Sequence, residues 1–550
     1  MDRQPPRVTS DDIDLYIRTY YSLLRSSGGI RVRAFEESHA FSQSSLHAGA
    51  RDEEPDVAAF AYSAARLPDC MPSVSWLVMG QSKEQFESVG LQVRDWPRVR
   101  TRGRRRPIRW NGHDTLACFI TSTSDIDDLV PIVTAYQIEW NKLHRVLSSG
   151  AQLKSHVLGT LRSVFGERFA SEMERVKRGP VDIAMRLVSG SFVEYQRAAQ
   201  RWWGEIERAY LAPSDGSSIR RPVYFVSSNT HSLANLLGGY ASCHRDKLTA
   251  FVQHEDPEDL SAALSRAFDS GHAINIANHL YYALRVYLRD DEQNSRMDEV
   301  QAFDAECGIT NIPSPGHIDV GAQIIELRKL KPERLDPRLQ IPGIERLRES
   351  DAVLINIDYP LGMAAYHHLS RLAQGVGEIR GVYIMGKAAT LNGRVGDIMV
   401  SGVAYDVHSA NTYLFRNCFQ AADVQPHVLD ASVLDGQKTL TVRGSFLQNR
   451  KYMSMFYQEG YTVLEMEAGP YLSAICEMVH PQRHPQDEVV HLSTLTPFEF
   501  GLLHYASDTP YSRRQSLLSK SLSLFGIDST YGCAATIARR ILHNEVSRLR

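Results

Sequence analysis

The 550-residue sequence has no long hydrophobic run and few cysteines for its length. No segment reaches the roughly 18 consecutive apolar residues that a bilayer crossing needs, and the opening MDRQPPRVTSDD lacks the apolar stretch of a signal peptide. The seven cysteines are scattered, odd in number and without the close paired spacing of a zinc site or a redox motif. We therefore expect a cytoplasmic protein with reduced thiols and no membrane contact.

The sequence also lacks an excess of either charge. Its 61 lysines and arginines nearly balance 64 aspartates and glutamates, for a formal net charge of -3. We expect no nucleic-acid partner, because such binding needs a strongly basic surface. The patterns HExxH, GxxxxGK[ST] and GxSxG and an EF-hand run are absent, which argues against metalloproteases, P-loop proteins and α/β-hydrolases.

What the sequence does have is the balance of a folded globular protein, with 43% hydrophobic and 23% charged residues. At roughly 100 to 200 residues per domain, the length allows two to four domains. We expect an N-terminal α+β domain at residues 1–150, a helical linking segment at 151–220 and a second, larger domain at 221–550.

The N-terminal part carries two clear helical patterns. Asp11 or Asp12 caps the first, a stripe of apolar residues that a run of serine and glycine ends. The second begins near Ser124 and runs to about Leu147. Residues 151–212 keep amphipathic spacing, which predicts an almost wholly helical segment.

An arginine-rich stretch lies between those two helices. Residues 94–109 contain eight arginines and one aspartate, and a glycine and a proline break any regular period, which indicates a loop. The loop is either a solvated basic surface or a contact for phosphate, which arginine binds bidentately. In the second case four arginines would hold the ligand: Arg102, Arg104, Arg105 and Arg106.

Short apolar runs separated by helical stretches begin after residue 220. Buried strands are expected at residues 223–226, 352–357, 382–385, 398–400, 440–442 and 463–464. Strands that alternate with helices indicate an α/β domain, with a mixed twisted sheet flanked by helices. Ligands of such sheets usually bind beyond the carboxyl ends of the strands.

Four segments of this domain carry a resemblance. Residues 351–366 (DAVLINIDYPLGMAAY) and 381–401 (GVYIMGKAATLNGRVGDIMVS) read as strands that run into glycine-containing turns, and residues 462–470 (TVLEMEAGP) and 504–511 (HYASDTPY) follow in order. Together they resemble the nucleoside phosphorylase superfamily, which includes purine nucleoside phosphorylase, methylthioadenosine nucleosidase and AMP nucleosidase. The resemblance covers residues 221–550, which it implies are a catalytic domain, and leaves the first 220 residues unexplained.

The most specific piece is EMEA, beginning at Glu465, which is similar to that family's Glu-Met-Glu-Ala signature. The resemblance implies that Glu467 grips the ribose hydroxyls, that Met466 packs on the sugar and that Glu465 and Ser507 bind substrate. It also implies that Asp508 protonates or hydrogen-bonds the imidazole ring of the purine. The chemistry agrees, because cleaving an N-glycosidic bond needs a group that accepts positive charge on the ribose and a proton donor for the base.

Each of these residues also has a structural interpretation. Met466 alone fits core packing, and Glu465 fits either a solvated loop or a main-chain contact. Asp508, which Thr509 and Pro510 follow, fits a turn or a helix cap.

The resemblance extends to a small-residue turn, where Gly386, Lys387 and Ala388 would let the backbone approach the substrate. A strand connection that needs little volume explains the same residues. Phosphorylases of this family carry an arginine for phosphate two residues before the turn, where this sequence has Ile384. We therefore favour hydrolysis over phosphorolysis, with Lys387 as the alternative phosphate contact.

A second polar turn follows the first strand of the domain. Ser228, Asn229 and Thr230 offer hydroxyls and backbone amides at a helix start, which is a cradle for phosphate. An ordinary N-cap explains them equally well. The hydrolytic nucleosidases use a glutamate near this strand to activate water, and residues 223–237 contain none, so the sequence does not identify that base.

Other pocket residues are implied by the resemblance. Tyr405 lies in a loop where related enzymes shape the pocket, sometimes for a neighbouring subunit, which implies a homo-oligomer. Phe446 or Tyr452 would stack on a base, and Arg443 or Arg450 would meet a phosphate.

Three functions follow from these observations. The first is hydrolysis of the N-glycosidic bond of a purine nucleoside or nucleotide, as in AMP nucleosidase, with release of the free base and no need of a metal or cofactor. The second is a nucleoside phosphorylase, in which phosphate replaces water. The third is a nucleotide-sensing or nucleotide-depleting defence effector that is triggered through residues 1–220.

Overall fold

The computed structural model describes residues 11–26, 28–101, 106–211, 220–257, 260–289, 295–314, 318–492, 496–509 and 526–549. Three of the four arginines in the phosphate hypothesis, Arg102, Arg104 and Arg105, lie outside these ranges. Inside them, no helix combines the length and the apolar character that a membrane crossing requires.

The N-terminal part is a sheet with helices packed on it. The sheet has the order β1-β6-β2-β5-β4-β3, and β2 runs parallel to β5 and β6 while the other pairs are antiparallel. Its strands are β1 (Ile30–Arg31), β2 (Trp76–Gly80), β3 (Arg98–Val99), β4 (Ile108–Trp110), β5 (Thr115–Phe119) and β6 (Ala184–Leu187). The helices are α1 (Asp11–Ser26), α2 (Arg33–Phe41), α3 (Val57–Ala64), α4 (Lys83–Glu87), α5 (Thr123–Ser148), α6 (Ser155–Phe165), α7 (Phe169–Arg178) and α8 (Phe192–Tyr210).

The two helices predicted from the sequence are α1 and α5, and both are confirmed. The segment 151–212 differs from the prediction, because β6 interrupts its helices. Ile183 and Met185 bury their side chains in the N-terminal core, and the apolar faces of α6 and α7 join the same core. The flanking helical patterns hide this short strand in the sequence. Of the three helices in this segment, α8 packs with the second domain, through Trp202 and Trp203.

The second domain is a larger mixed sheet between helices, which confirms the α/β class. Its strands are β7 (Val223–Ser228), β8 (Ile309–Ile312), β9 (Ala322–Glu326), β10 (Val353–Asp358), β11 (Ile379–Thr390), β12 (Ile398–Asp406), β13 (Asn411–Leu414), β14 (Val433–Thr441), β15 (Tyr461–Glu465), β16 (Val489–His491) and β17 (Glu499–Asp508). The helices are α9 (Ser232–Gly238), α10 (Tyr240–Cys243), α11 (Arg245–Glu255), α12 (Leu260–Ser270), α13 (Ala273–Arg289), α14 (Ser295–Ala305), α15 (Ala364–Gly375), α16 (Ala421–Val424), α17 (Arg450–Gln458), α18 (Ala468–Val479) and α19 (Ile527–Arg548).

The strand order is β16-β13-β12-β14-β15-β11-β7-β10-β9-β8, and β17 pairs with both β11 and β12. The predicted strands fall on β7, β10, β11, β12, β14 and β15, but all of these except β10 are longer than predicted, most of all β11, β12 and β14. The pairing of β17 closes a ring of five strands, β11-β17-β12-β14-β15. One side chain from each strand fills the ring: Ala388, Met399, Leu434, Val463 and Ala506. A five-strand barrel is narrow, so some of these positions have room only for a small side chain. This accounts for the two alanines.

Candidate active site

Three strands set the position of the candidate site. β7 and β15 pair with the same edge of β11, at residues 379–384 and 389–390, while β17 occupies the other edge. β7 runs parallel to β11 and β15 runs antiparallel to it, so their carboxyl ends face each other across residues 385–388. Ligands of α/β sheets bind beyond such carboxyl ends.

Glu467 reaches this gap from the end of β15. The residue is 6% exposed and immediately precedes α18. Its Oε1 accepts a hydrogen bond from the backbone N–H of Gly362 at 2.9 Å. Gly362 has a φ of 52°, and a Cβ there would lie 2.2 Å from Oγ of Ser124, so this position requires glycine. The amide thus fixes the Glu467 carboxylate and stabilises its charge.

Glu465 has a different role from Glu467. Its Oε2 accepts the backbone N–H groups of Glu467 and Ala468, both at 2.6 Å, and the hydroxyl of Thr441 donates to its Oε1. Burial, and then the neighbouring charge of Glu467, raises the pKa of Glu465. Glu465 therefore holds the main chain at the start of α18, which is the structural interpretation that the sequence left open.

Ser507 and Asp508 end β17, beside β11. Asp508 pairs in register with Ala389, and its side chain is half-buried. The hydroxyl of Ser507 lies 2.8 Å from Oδ2 of Asp508 and 3.3 Å from the carbonyl oxygen of Ala388. Because β11 alone separates β15 from β17 here, those two strands lie about 10 Å apart. The ends of β15 and β17 therefore bring Glu467 and Asp508 to the same part of the sheet.

A cavity of about 310 Å³ opens between the two domains, and Glu467 lines it, whereas Ser507 and Asp508 are not among its lining residues. This volume lies at the lower end of the range for small-molecule sites. The N-terminal domain contributes five residues to its wall: Arg106, Pro107, Phe119, Thr121 and Asp125. The second domain contributes, among others, Ser228, Asn229, Asp358, Tyr359, Lys387 and Glu467. We name it the interdomain cavity.

The wall from the N-terminal domain is anchored to the second domain. Oγ of Ser124, at the start of α5, accepts the backbone N–H of Met363 at 2.9 Å. Arg443 donates to Oδ2 of Asp127 at 3.0 Å and 3.1 Å, and the side chain of Asp127 is fully buried. The Ser124 bond and the charge-assisted Arg443–Asp127 pair hold the relative position of the domains at the cavity.

Arg106 is the arginine of the phosphate hypothesis that the structure describes. Its Nη2 donates to Oδ2 of Asp128 at 2.5 Å, its Nη1 donates to the backbone oxygen of Asp125 at 3.1 Å, and its side chain is 4% exposed. It is therefore not a solvated surface charge. Asp128 and Asp125 balance its charge, so Arg106 by itself does not make this wall of the cavity cationic.

Residues 386–390 are part of β11 and not the turn that the sequence suggested. Gly386 makes room for an aromatic ring, because a Cβ there would lie 2.4 Å from Cζ of Tyr359. Ala388 turns into the five-strand ring, so its small size serves the barrel and not a ligand. Lys387 is exposed and lines the interdomain cavity.

The polar turn after β7 is engaged within the protein. Oδ1 of Asn229 accepts the backbone N–H groups two and three residues later, at 3.1 Å and 2.7 Å, and the N–H of Thr230 donates to Oδ1 of Asp358 at 3.3 Å. Asn229 therefore stabilises the turn ahead of α9, whose N-cap residue is His231, and this structural use competes with a phosphate cradle. Ser228 and Asn229 still line the interdomain cavity.

Three of the other predicted residues come together. Met466, Tyr405 and Tyr452 belong to one apolar cluster, against which Ala389 and Leu361 also pack. The cluster lies where β15 meets β11, so it is next to Glu467 in the chain and in the sheet.

Two predicted residues belong to the domain contact instead. Phe446 is 1% exposed, and its ring packs against His39, His47 and Tyr62 of the N-terminal core, which is incompatible with stacking on a base. Arg443 is the partner of Asp127 described above, and this pairing occupies the side chain that was offered to phosphate. Arg450 is exposed at the start of α17.

Tyr359 is a residue of the interdomain cavity that the sequence did not single out. It follows β10 directly and lines the interdomain cavity, and its hydroxyl oxygen is buried with no hydrogen-bond partner among the described residues. Burial, and then the charges of Glu467 and Glu465, raises the pKa of Tyr359, so the phenol keeps its proton and is a donor. A polar aromatic residue immediately after a buried strand was the available signal.

Comparison with known proteins gives a matching family and likenesses to solved structures. A solved candidate methylthioadenosine nucleosidase from Weissella paramesenteroides is similar at 12% sequence identity and a TM-score of 0.28, over 44% of this chain and 92% of that chain. No curated protein matches the sequence. The profile of one family matches residues 32–160 and 149–543, which together span both domains. The chain belongs to the family of unknown function DUF6909.

Proposed function

We propose that the chain hydrolyses the N-glycosidic bond of a purine nucleoside. The observation that carries the proposal is the placement of Glu467 and Asp508 at the ends of two strands that flank β11, with a cavity beside Glu467. The resemblance of the sequence to the nucleoside phosphorylase superfamily rests on the same two residues and supports the same chemistry.

The two carboxyl groups have opposite tasks. Glu467, held by the amide of Gly362, accepts the ribose hydroxyls and stabilises the positive charge that develops on the sugar. Asp508 donates a proton or a hydrogen bond to the departing purine, and Ser507 orients its carboxyl group. The apolar cluster that contains Met466 gives the sugar a surface to pack on.

Hydrolysis also needs a base for water, and we assign that task to Asp358. It ends β10, pairs in register with Ser228 and lines the interdomain cavity. The sequence offered no glutamate near β7, and Asp358 supplies a carboxylate on the neighbouring strand at the same level. We expect Asp358→Asn to lower kcat by at least about 100-fold with little change in KM, as for a positioned general base. Equal effects on kcat and on the binding of a non-reacting analogue would contradict the assignment.

The charge of the wall favours a nucleoside over a nucleotide. Asp125, Asp319, Asp358 and Glu467 line the interdomain cavity, against two cations, Arg106 and Lys387. A phosphate would add up to two negative charges to this acidic surface. Phosphorolysis is disfavoured for the same reason. In addition, the fully buried Ile384 stands at the position where phosphorylases of the resembled superfamily carry an arginine for phosphate.

The proposal is tested by identifying the sugar product. Purine nucleosides and their 5′-monophosphates are incubated with the full chain, with and without inorganic phosphate. We expect free ribose from nucleosides, at a rate that phosphate does not change, and slower reaction of the monophosphates. Ribose 1-phosphate would show phosphorolysis instead, and no base release from any purine substrate would overturn the proposed function.

A further inference from the structure

A second cavity, of about 650 Å³, lies in the second domain and shares no lining residue with the interdomain cavity. One wall is a face of α19, where Thr536, Arg539, Arg540 and His543 follow at the spacing of one helical face. The segment around α16 and the turn that contains Arg338 form the other walls. We name this cavity the basic groove.

Arg338 lies at the buried end of this arrangement. Its Nε donates a hydrogen bond to Oδ1 of Asp336 at 2.8 Å, and its Nη2 donates to Oδ2 at 2.9 Å. Both side chains of this bidentate pair are at most 2% exposed. A guanidinium that donates to a carboxylate through Nε and Nη2 has its Nη1 left to donate to a different acceptor. Nη1 of Arg338 is buried and has no hydrogen-bond partner among the described residues. A buried donor of this kind costs free energy unless something accepts it.

His427 supplies a second such group. It is 7% exposed, lines the basic groove, and its Nδ1 is buried without a hydrogen-bond partner within the described part of the chain. Burial, and then the charges of Arg338 and Arg539, lowers the pKa of His427 to about 4. The imidazole is therefore neutral at physiological pH, and it can donate to a ligand from one ring nitrogen.

The lining of the groove contains three arginines and one carboxylate, Asp423. Arg338 pairs with Asp336, and Arg540 pairs with Glu499 at 2.8 Å. Arg539 donates to the backbone oxygens of Arg338 at 2.8 Å and Gln340 at 3.1 Å, and no ion pair joins it to a carboxylate in the described ranges. Carbonyl oxygens carry no full charge, and no ion pair joins Arg539 to Asp423 among the described residues, so the guanidinium of Arg539 can bind an anion.

The remaining lining is apolar apart from one carboxylate, Asp423: Ile274, Pro337, Phe419, Ala422 and Pro426. A cavity of this volume, with a cationic side and an apolar side, fits a ligand of the size of a mononucleotide. Phosphate suits the cationic side, because arginine presents several donors to its oxygens. The flat base suits the apolar side.

We propose that the basic groove binds a phosphate-bearing small molecule with a flat apolar group, such as a purine nucleotide. The site is separate from the interdomain cavity, whose acidic wall suits an uncharged nucleoside. The same chain therefore offers one cavity for each charge state of a purine compound, and the proposal does not depend on what the interdomain cavity does.

Binding is measured by isothermal titration calorimetry with AMP, adenosine and inorganic phosphate at constant ionic strength. The full chain carries Asp508→Asn to prevent turnover, if any. The test variant adds Arg539→Glu and His543→Glu. The control adds Arg548→Glu, which makes the same change of charge as Arg539→Glu on the same helix but outside the groove. His543→Glu alone is a second test variant, because His543 is exposed and its replacement is not expected to disturb folding.

We expect the parent and the control to bind AMP more tightly than inorganic phosphate, and the double variant to bind AMP at least about tenfold more weakly. His543→Glu alone should show a smaller loss, while adenosine binding stays unchanged in all variants. AMP affinity that neither test variant changes would overturn the proposal, as would no binding of AMP to the parent. Equal affinities for AMP and inorganic phosphate would overturn the apolar half of the site.

Discussion

The interdomain cavity and the basic groove differ in how they handle charge. Carboxylates outnumber cations in the wall of the interdomain cavity. One of them, Glu467, lies beside Glu465, a buried carboxyl group behind the wall. The lining of the second contains three arginines and one carboxylate, Asp423. The first suits a sugar that becomes positive in the transition state, and the second suits an anion.

The two cavities also differ in construction. The interdomain cavity needs both domains, and contacts such as Ser124 to Met363 and Asp127 to Arg443 hold its wall. The basic groove lies within the second domain. Changes at the domain contact should therefore affect the first cavity and leave the second unchanged.

The largest expected effect is at Asp508. We expect Asp508→Asn to lower kcat/KM for purine nucleosides by at least about 100-fold, because an amide cannot donate the proton that a positioned general acid supplies. The measurement is initial rate against substrate concentration, with folding checked by the unfolding midpoint. Asp269→Asn, an exposed aspartate of α12, is the matched control and should keep full activity. An active Asp508→Asn enzyme would remove the assignment.

Glu467→Gln should have the next largest effect. The amide oxygen can still accept the N–H of Gly362, but the variant loses the charge that stabilises the cationic sugar, and we expect kcat/KM to fall about tenfold or more. The loss should be smaller for 2′-deoxyribonucleosides, which lack one of the hydroxyls. If both sugars lose equally, Glu467 does not bind the 2′-hydroxyl. Glu459→Gln at an exposed position is the control.

Much of the second domain could be predicted from the sequence, because buried strands leave continuous apolar runs. Glu467 and Asp508 were singled out by the resemblance and not by the strand pattern, because β17 was not predicted. The five-strand ring was not predictable, since it depends on the pairing of β17 with both β11 and β12, and so Ala388 was assigned to a ligand. Short alternating strands such as β6 leave too weak a pattern beside long helices.

The domain contact was also hidden from the sequence. Phe446 and Arg443 lie in a loop of the second domain, and nothing in their neighbours shows that they meet His39 or Asp127 several hundred residues away. Arg106 lay in a stretch that had the composition of a solvated loop, but Asp128 of α5 buries it. Long-range ion pairs leave no periodic signal in a sequence.

A smaller effect should appear in the pH dependence of stability. The pKa of Glu465 is raised in the folded protein, so the folded state holds this proton to higher pH than the unfolded chain. The stability linked to this group is therefore present at low pH and is lost as pH rises above its ordinary value of 4.5 toward the raised pKa. One proton corresponds to a slope of at most about 1.4 kcal/mol per pH unit. Urea unfolding of the wild type and Glu465→Gln across this window measures it, and the variant should show the shallower decline. Parallel curves would contradict the assigned pKa.

The smallest effect is expected at the domain contact. Ser124→Ala removes the oxygen that accepts the N–H of Met363, and a lost hydrogen bond of this kind costs about 1 kcal/mol of unfolding free energy. Because Gly362 joins Met363 to Glu467, the same change should loosen the Glu467 carboxylate and raise KM several-fold with a smaller change in kcat. Ser148→Ala, at the exposed far end of α5, is the matched control and should change neither quantity. The affinity of the basic groove for AMP, measured in the same two variants, should stay at the wild-type value. If Ser124→Ala weakened AMP binding as much as it raised KM, the two cavities would not be independent, and the contrast in their construction would be wrong.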